Sequence, residues 1–203
     1  VDTSFGVVTG IYNEYAEDSK FYGGDISVIS DKEGDYKGVG LSFGSLKYGD
    51  FYGLDAGIIV GTVEGGVSKG IDLGAVILQD STSKKYGISL GVGNLAWGNS
   101  EHYGIRIGGL NSNEGESIVE GFELGLVNHT SGKNFRGGQA GCYNHVGPDS
   151  IPHDFMQMGL GNRFVGHKQG HDANPDALQI GFFNTANLED LTFEGDYNIA
   201  QLG

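Results

Sequence analysis

Cysteine is almost missing from this chain: the lone Cys142 has no intramolecular partner, so a disulfide-stapled miniature fold is excluded. It stands beside Tyr143 on what reads as an apolar face, where a thiol is expected to be buried and inert. Proline is nearly as scarce, at 3 residues, and no triplet period is present, which removes collagen-like and polyproline structure. Positive charge is the third shortage. Only 12 Lys+Arg stand against 26 Asp+Glu, a formal net charge of −14, so nucleic acid is excluded as a partner and an anionic lipid surface is disfavoured. No 18-residue apolar run and no secretory leader are visible, and a first residue of Val1 rather than Met fits a processed or trimmed chain. Nucleophile elbow, phosphate loop, dinucleotide fingerprint and zinc-protease motif are all lacking.

What the chain has in excess is glycine, 38 residues against a usual share of about 7%. These glycines are positional. A unit Gly-x-x-x-Gly-x-x-Asn, clearest in Gly121–Asn128, recurs at a spacing near 17 residues. Its first position falls at Gly6, Gly23, Gly38, Gly53, Gly70, Gly87, Gly104, Gly121, Gly137, Phe155, Ala177 and Gly195. Repeats of this length cannot bury an apolar face alone and must stack on their neighbours. The 203 residues therefore read as one repeat domain, irregular over 1–86, regular over 87–187 and degenerate over 188–203.

Within each unit residues alternate with strand periodicity. Ile88, Leu90 and Val92 point one way, Ser89, Gly91 and Gly93 the other, and the same positions hold Phe122, Leu124 and Leu126 or Leu178, Ile180 and Phe182. The apolar set is expected to face the core and the set carrying the glycines to form a flat outer face. Aromatics just before the first glycine, at Phe5, Tyr22, Tyr52, Tyr86 and Tyr103, or one residue earlier, at Phe21, Tyr36, Phe51, Phe135 and Phe193, are expected to close that core from the far side. The pattern predicts an all-β fold: a parallel β-solenoid (β-helix) of about twelve rungs, because a parallel stack lets one consensus serve every rung. The alternative is a twelve-stranded antiparallel β-barrel, with the aromatics as an interfacial girdle and the apolar face toward lipid.

The units Ala177–Asn184 and Gly121–Asn128 resemble the Gly-Leu-Gln-Ile-Gly-Leu-x-Asn repeats of bacterial glycine-rich surface-repeat proteins, most strongly over 87–187. The resemblance implies a cell-surface or secreted component and carries over no catalytic residue.

In a stack, Asn94, Asn111, Asn128, Asn144, Asn162 and Asn184 are expected to form a structural ladder of amides. The residue between the two glycines, Asp55, Asp72, Ser89, Arg106, Glu123, Gln139, Gln157 and Gln179 in successive units, forms a polar stripe; Arg106, Glu123, Gln139, Gln157 and Gln179 are the candidate binding residues on the flat face. His129 and His145 follow ladder asparagines and read as stacked neighbours. His153 lies in one long insertion, and His167, His171 and Asp172 in the next supply the weak candidates for a metal. No cofactor is required by any motif; acidic turns at Glu14, Glu17, Asp18, Asp31, Glu33, Asp35 and Asp50 leave only calcium open.

The sequence points to a non-enzymatic structural or adhesive surface protein, on a cell, a filament or a viral particle. Its flat face or loop insertions would bind a protein or glycan, or its terminal rungs would self-assemble. The alternatives are an outer-membrane β-barrel, the one reading that involves a membrane, and a carbohydrate-active β-helix enzyme built on Asp55, Asp72, Arg106 and Glu123.

Overall fold

The computed structural model describes residues 2–131, 134–147, 151–166, 176–188 and 198–203. Ten long strands follow one another: β1 (Asp2–Tyr15), β2 (Ser19–Lys32), β3 (Asp35–Lys47), β4 (Asp50–Thr62), β5 (Val67–Gln79), β6 (Lys84–Ala96), β7 (Glu101–Asn113), β8 (Ile118–Thr130), β9 (Asn134–Val146) and β10 (Ile151–Gly166). Shorter β11 (Asp176–Ile180) and β12 (Phe183–Leu188) both pair with β10, and β13 (Asn198–Leu202) pairs with β11. Every pairing among the described residues is parallel and the order follows the chain. This is a β-solenoid, and the antiparallel barrel is excluded. Nine turns separate the ten long strands, so the twelve units counted from the repeat overstate the complete rungs, the last units being represented by β11–β13.

Register is strict. Gly87 stands over Gly70 and under Gly104, Asn111 between Asn94 and Asn128. One irregularity interrupts it, a register shift between His153 and Phe155 in β10, after which Phe155 occupies the place of Gly137. Below, positions are counted from the first glycine of each unit, or from Phe155 and Ala177 in its place.

The coil is inverted relative to the expectation that apolar residues face inward. Positions −2, +2, +7 and +9 are buried, and +1, +3, +5 and +6 face out: in β6 the buried residues are Lys85, Ser89, Asn94 and Ala96, while Val92 is 72% exposed. Ile26, Leu41, Ile58, Ile107, Leu126, Met158 and Leu160 are likewise exposed. In β6 and β7 three non-buried residues in a row around the first glycine, and four from +3 to +6, show that the strand bends there, so one long strand wraps three inner walls.

The apolar interior gathers in two clusters, with Val60, Ile77 and Ala96 buried singly between them. Tyr15, Phe21, Tyr36 and Phe51 stack near β1–β4, and Val119, Phe135, Val146, Phe155, Phe164 and Ala177 pack at β8–β11. The aromatics two residues before the glycine thus lie inside, Phe193 falling outside the described residues. Those one residue before it, such as Tyr22, Tyr52 and Tyr86, lie outside, where Lys37 and Lys69 are sandwiched between their rings. Cys142 follows the inversion: at +5 on an outward face it is exposed, which corrects the expected buried thiol.

Candidate functional site: a polar interior and an uncharged outer face

Position +2 lies on the middle inner wall, facing +7 and +9 across the coil. From β2 onward its side chains include Asp25, Asp55, Asp72, Ser89, Arg106, Glu123, Gln139, Gln157 and Gln179, all buried. The stripe proposed as a flat outer binding surface is therefore internal, and Arg106, Glu123, Gln139, Gln157 and Gln179 cannot meet a partner. The physical reason is that each residue finds its hydrogen-bonding partner in the next rung, which removes the usual penalty for burying polar atoms. Gln139 Nε2 donates to Glu123 Oε2 at 2.8 Å, Gln157 to Gln139 at 3.0 Å, Gln179 to Gln157 at 2.8 Å, and Gln201 to Gln179 at 2.8 Å.

The asparagines form a second file on the next wall. Asn94 Nδ2 donates to Asn111 Oδ1 at 2.7 Å, and the same bond links Asn111, Asn128, Asn144, Asn162 and Asn184 at 2.7–2.8 Å. Each amide also donates to a carbonyl of the neighbouring rung, as Asn128 does to Ala140 at 3.0 Å. The file starts at Asn94, whose Oδ1 has no partner because Ile77 stands in the rung before.

Toward β1 the same positions carry charge. Lys32 Nζ lies 3.9 Å from Asp25 and 3.2 Å from Asp55; Lys47 Nζ lies 3.3 Å from Asp55 and 2.7 Å from Asp72; Lys85 Nζ reaches Asp72 at 3.0 Å. Signs alternate along the axis. Burial alone would raise the Asp55 carboxyl, but Lys47 and Lys32, with the Ser45 hydroxyl, outweigh it and hold it at about 2. Burial would lower Lys47, yet Asp72 and Asp55 keep it raised. Lys85 is brought down to about 8 by burial, which Asp72 only partly offsets. Higher up, Arg106 pairs with Glu123 at 3.3 Å and with the Asn113 amide oxygen. Four acids (Asp25, Asp55, Asp72, Glu123) balance four bases (Lys32, Lys47, Lys85, Arg106) among the described buried residues. The carboxylates considered for glycoside chemistry all belong to this sealed set.

Where the charged and amide files meet, a whole imidazole is left unsatisfied. His102 is 2% exposed and neither ring nitrogen has a hydrogen-bond partner. Burial holds its pKa well below the ordinary value, with Arg106 and Lys85 adding to the effect. Replacing it by valine, the residue in the same place one rung on at Val119, is expected to raise stability by about 1 kcal/mol or more at pH 7.5. The gain should widen in acid. A histidine kept neutral in the fold but free to protonate when unfolded near pH 6.5 loses up to about 1.4 kcal/mol of stability per pH unit below that value. Burial, with His129 and Arg163, holds His145 down to about 4, so part of the acid sensitivity remains in His102→Val. Urea midpoints at pH 7.5 and 5 decide this; an unchanged acid slope would refute it.

His129 and His145 stack outside, with Nδ1 atoms 2.9 Å apart. No three His, Cys, Asp or Glu side chains gather into a metal-holding group among the described residues. His153 falls on β10, and His167, His171 and Asp172 lie outside the described residues.

The remaining candidate is the outward surface itself. At +1, +3, +5 and +6, from β1 to β12, there is no Asp, Glu, Lys, Arg or His. Mostly aliphatic side chains, with glycines and a few aromatics among them, occupy these columns, and Phe43 is 64%, Val92 72%, Leu126 64% and Leu160 55% exposed at +5 alone. Contiguous apolar surfaces of this kind commonly go with contact to a protein, a membrane or a ligand. The tyrosine column at −1 is a poorer sugar platform, because Tyr86 and Tyr103 stack on each other at 5.0 Å and Tyr52 is covered by Lys37 and Lys69. Comparison with protein-family models, with characterised proteins and with solved structures found no match to this chain.

Proposed function

We propose that this chain is a non-enzymatic structural scaffold of a cell surface or secreted assembly, which presents one broad aliphatic face to a partner. The observation that carries the reading is the unbroken absence of charge from four outward columns in a chain of net charge −14. The surface location rests on the repeat resemblance. An enzymatic reading has less support, since Asp55, Asp72 and Glu123 are buried and paired with Lys or Arg.

The test compares the protein with Ile107→Lys/Leu126→Lys, two exposed substitutions that leave the interior untouched. Both are assayed for binding to immobilised copies of the chain, uncharged lipid vesicles and a glycan array, and for sugar release from a polysaccharide panel. The expected result is binding to one surface, weakened at least about tenfold by the added charges, with no turnover. Sugar release abolished by Glu123→Gln, or no binding sensitive to the face, would overturn the proposal.

A further inference from the structure

We infer that the occupant of the aliphatic face is a second copy of this chain, packed sheet on sheet; this rests on reading that face as a binding surface. Three observations favour self-pairing over another partner.

Charge comes first. The described interior is neutral, so the excess acid does not lie there, and the turns carry Glu17, Asp18, Glu33, Glu64 and Glu114. Two such molecules repel wherever turns or strand ends meet. The aliphatic face is the side on which they can approach without bringing like charges together.

Relief comes second. Along the face, protruding Phe43, Val92, Leu126 and Leu160 adjoin positions with no side chain at Gly44, Gly93, Gly109 and Gly161. Ridges follow the rungs, about 4.8 Å apart. A second copy has ridges of the same period and can seat its large residues over the small ones along the whole length. An irregular globular surface matches that period only locally.

Area comes third. Nine rung steps at about 4.8 Å give about 43 Å, and positions 0 to +4, the wall between the two bends, at about 3.3 Å per residue give about 13 Å of width, with +5 and +6 along its rim. The product, roughly 560 Å² for each copy, falls in the class of small, reversible interfaces that bury under about 1,200 Å² in total, which suits a monomer–dimer equilibrium. Aligned sheets would pack about 10 Å apart with mean strand directions within about 30°. A two-fold pairing of the faces closes at the dimer.

Cys142 reports on the contact, since it is exposed at +5 on this face. Sedimentation under reductant from about 1 to 100 µM should show a monomer–dimer equilibrium that strengthens with salt, as screening removes repulsion between the acidic turns. In thiol titrations without reductant, Cys142 should react at least about tenfold more slowly in the dimer range than in dilute solution. Ile107→Lys/Leu126→Lys should be monomeric throughout, with wild-type circular dichroism and concentration-independent Cys142 reactivity. A monomer at every concentration, a dimer indifferent to the two lysines, or an open-ended series of larger species would each overturn the inference. A monomer that still binds vesicles or glycans through this face defeats self-pairing and leaves the scaffold reading standing; a monomer without face-dependent binding defeats both.

Discussion

Asp55→Ala is expected to cost about 3–5 kcal/mol, the penalty for leaving buried ammonium groups without their counterion. Asp55 is fully buried and serves two cations, Lys32 at 3.2 Å and Lys47 at 3.3 Å, while accepting the Ser45 hydroxyl at 2.7 Å. Lys47 keeps Asp72 at 2.7 Å, but Lys32 is left with Asp25 at 3.9 Å and with Ser45. Burial already lowers the Lys32 pKa, and without Asp55 it should fall further. The double variant Lys32→Met/Asp55→Ala also removes the ammonium group left without a close counterion and should recover at least about half the loss, since replacing a buried pair by apolar groups is often neutral. Urea midpoints of the four proteins close the cycle. The wild type carries a matching acid signature: a carboxyl held at about 2 against an ordinary value of 3.8 contributes stability that is complete above the ordinary value and lost as pH falls toward 2. A single-substitution cost below about 1 kcal/mol would mean that the ammonium groups find solvent.

The same network shows why the fold was readable from the sequence while its inside and outside were not. Strict recurrence of glycine and asparagine near 17 residues requires each unit to run in the same direction, and the parallel register follows directly. Alternation separates two faces but leaves open which of them is enclosed. The ordinary choice, apolar inward, fails here because a polar side chain in a stacked coil meets its own kind in the next rung: Gln157 lies between Gln139 and Gln179, Asn128 between Asn111 and Asn144.

Two signals in the chain pointed the other way. Size is the first: position +1 runs from Gly24 and Gly138 to Phe122 and Met156, and +5 from Gly109 to Phe43. A close-packed interior does not tolerate such volume changes between adjacent layers, whereas a surface does. Charge complementarity is the second, with Asp25, Asp55 and Asp72 at +2 matched by Lys32 and Lys47 at +9. An outward acidic stripe has no need of such partners. The aliphatic face is present in every repeat unit, but the rule of apolar inward places it in the core and so puts the candidate site on the opposite side of the strand. His102 was hidden for a different reason: its two unpaired nitrogens depend on what Val119 and Lys85 place above and below it, which spacing alone does not disclose.

Gly104→Ala should disrupt the middle of the solenoid more severely than any single truncation of the aliphatic face, at a cost of at least about 3 kcal/mol. Nine first-position glycines, from Gly6 to Gly137, have φ between +129° and +153°, a range that glycine alone adopts without strain. The space is closed as well as the conformation: a Cβ on Gly104 would sit 2.0 Å from the Gly87 carbonyl oxygen, and one on Gly121 1.9 Å from that of Gly104. Those carbonyls belong to the neighbouring rung's backbone and cannot turn aside, so a methyl group must pry two rungs apart at a bend. The chain itself provides the comparison. Where Phe155 replaces the glycine, β10 carries a register shift at His153/Phe155 and the phenyl ring is buried inside the coil. Gly93→Ala is the control, because an added Cβ there meets nothing within 4 Å and the neighbouring rungs carry Val76 and Leu110 in register. That variant should be neutral, or more stable by up to about 1 kcal/mol through the stiffer unfolded chain. Hydrogen exchange resolves where the damage lies: amides of β6, β7 and β8 should lose protection in Gly104→Ala while those of β2 and β3 keep it, since stacked rungs are coupled mainly to their nearest neighbours. Equal protection in Gly104→Ala and Gly93→Ala would show that the glycine column does not set the distance between rungs.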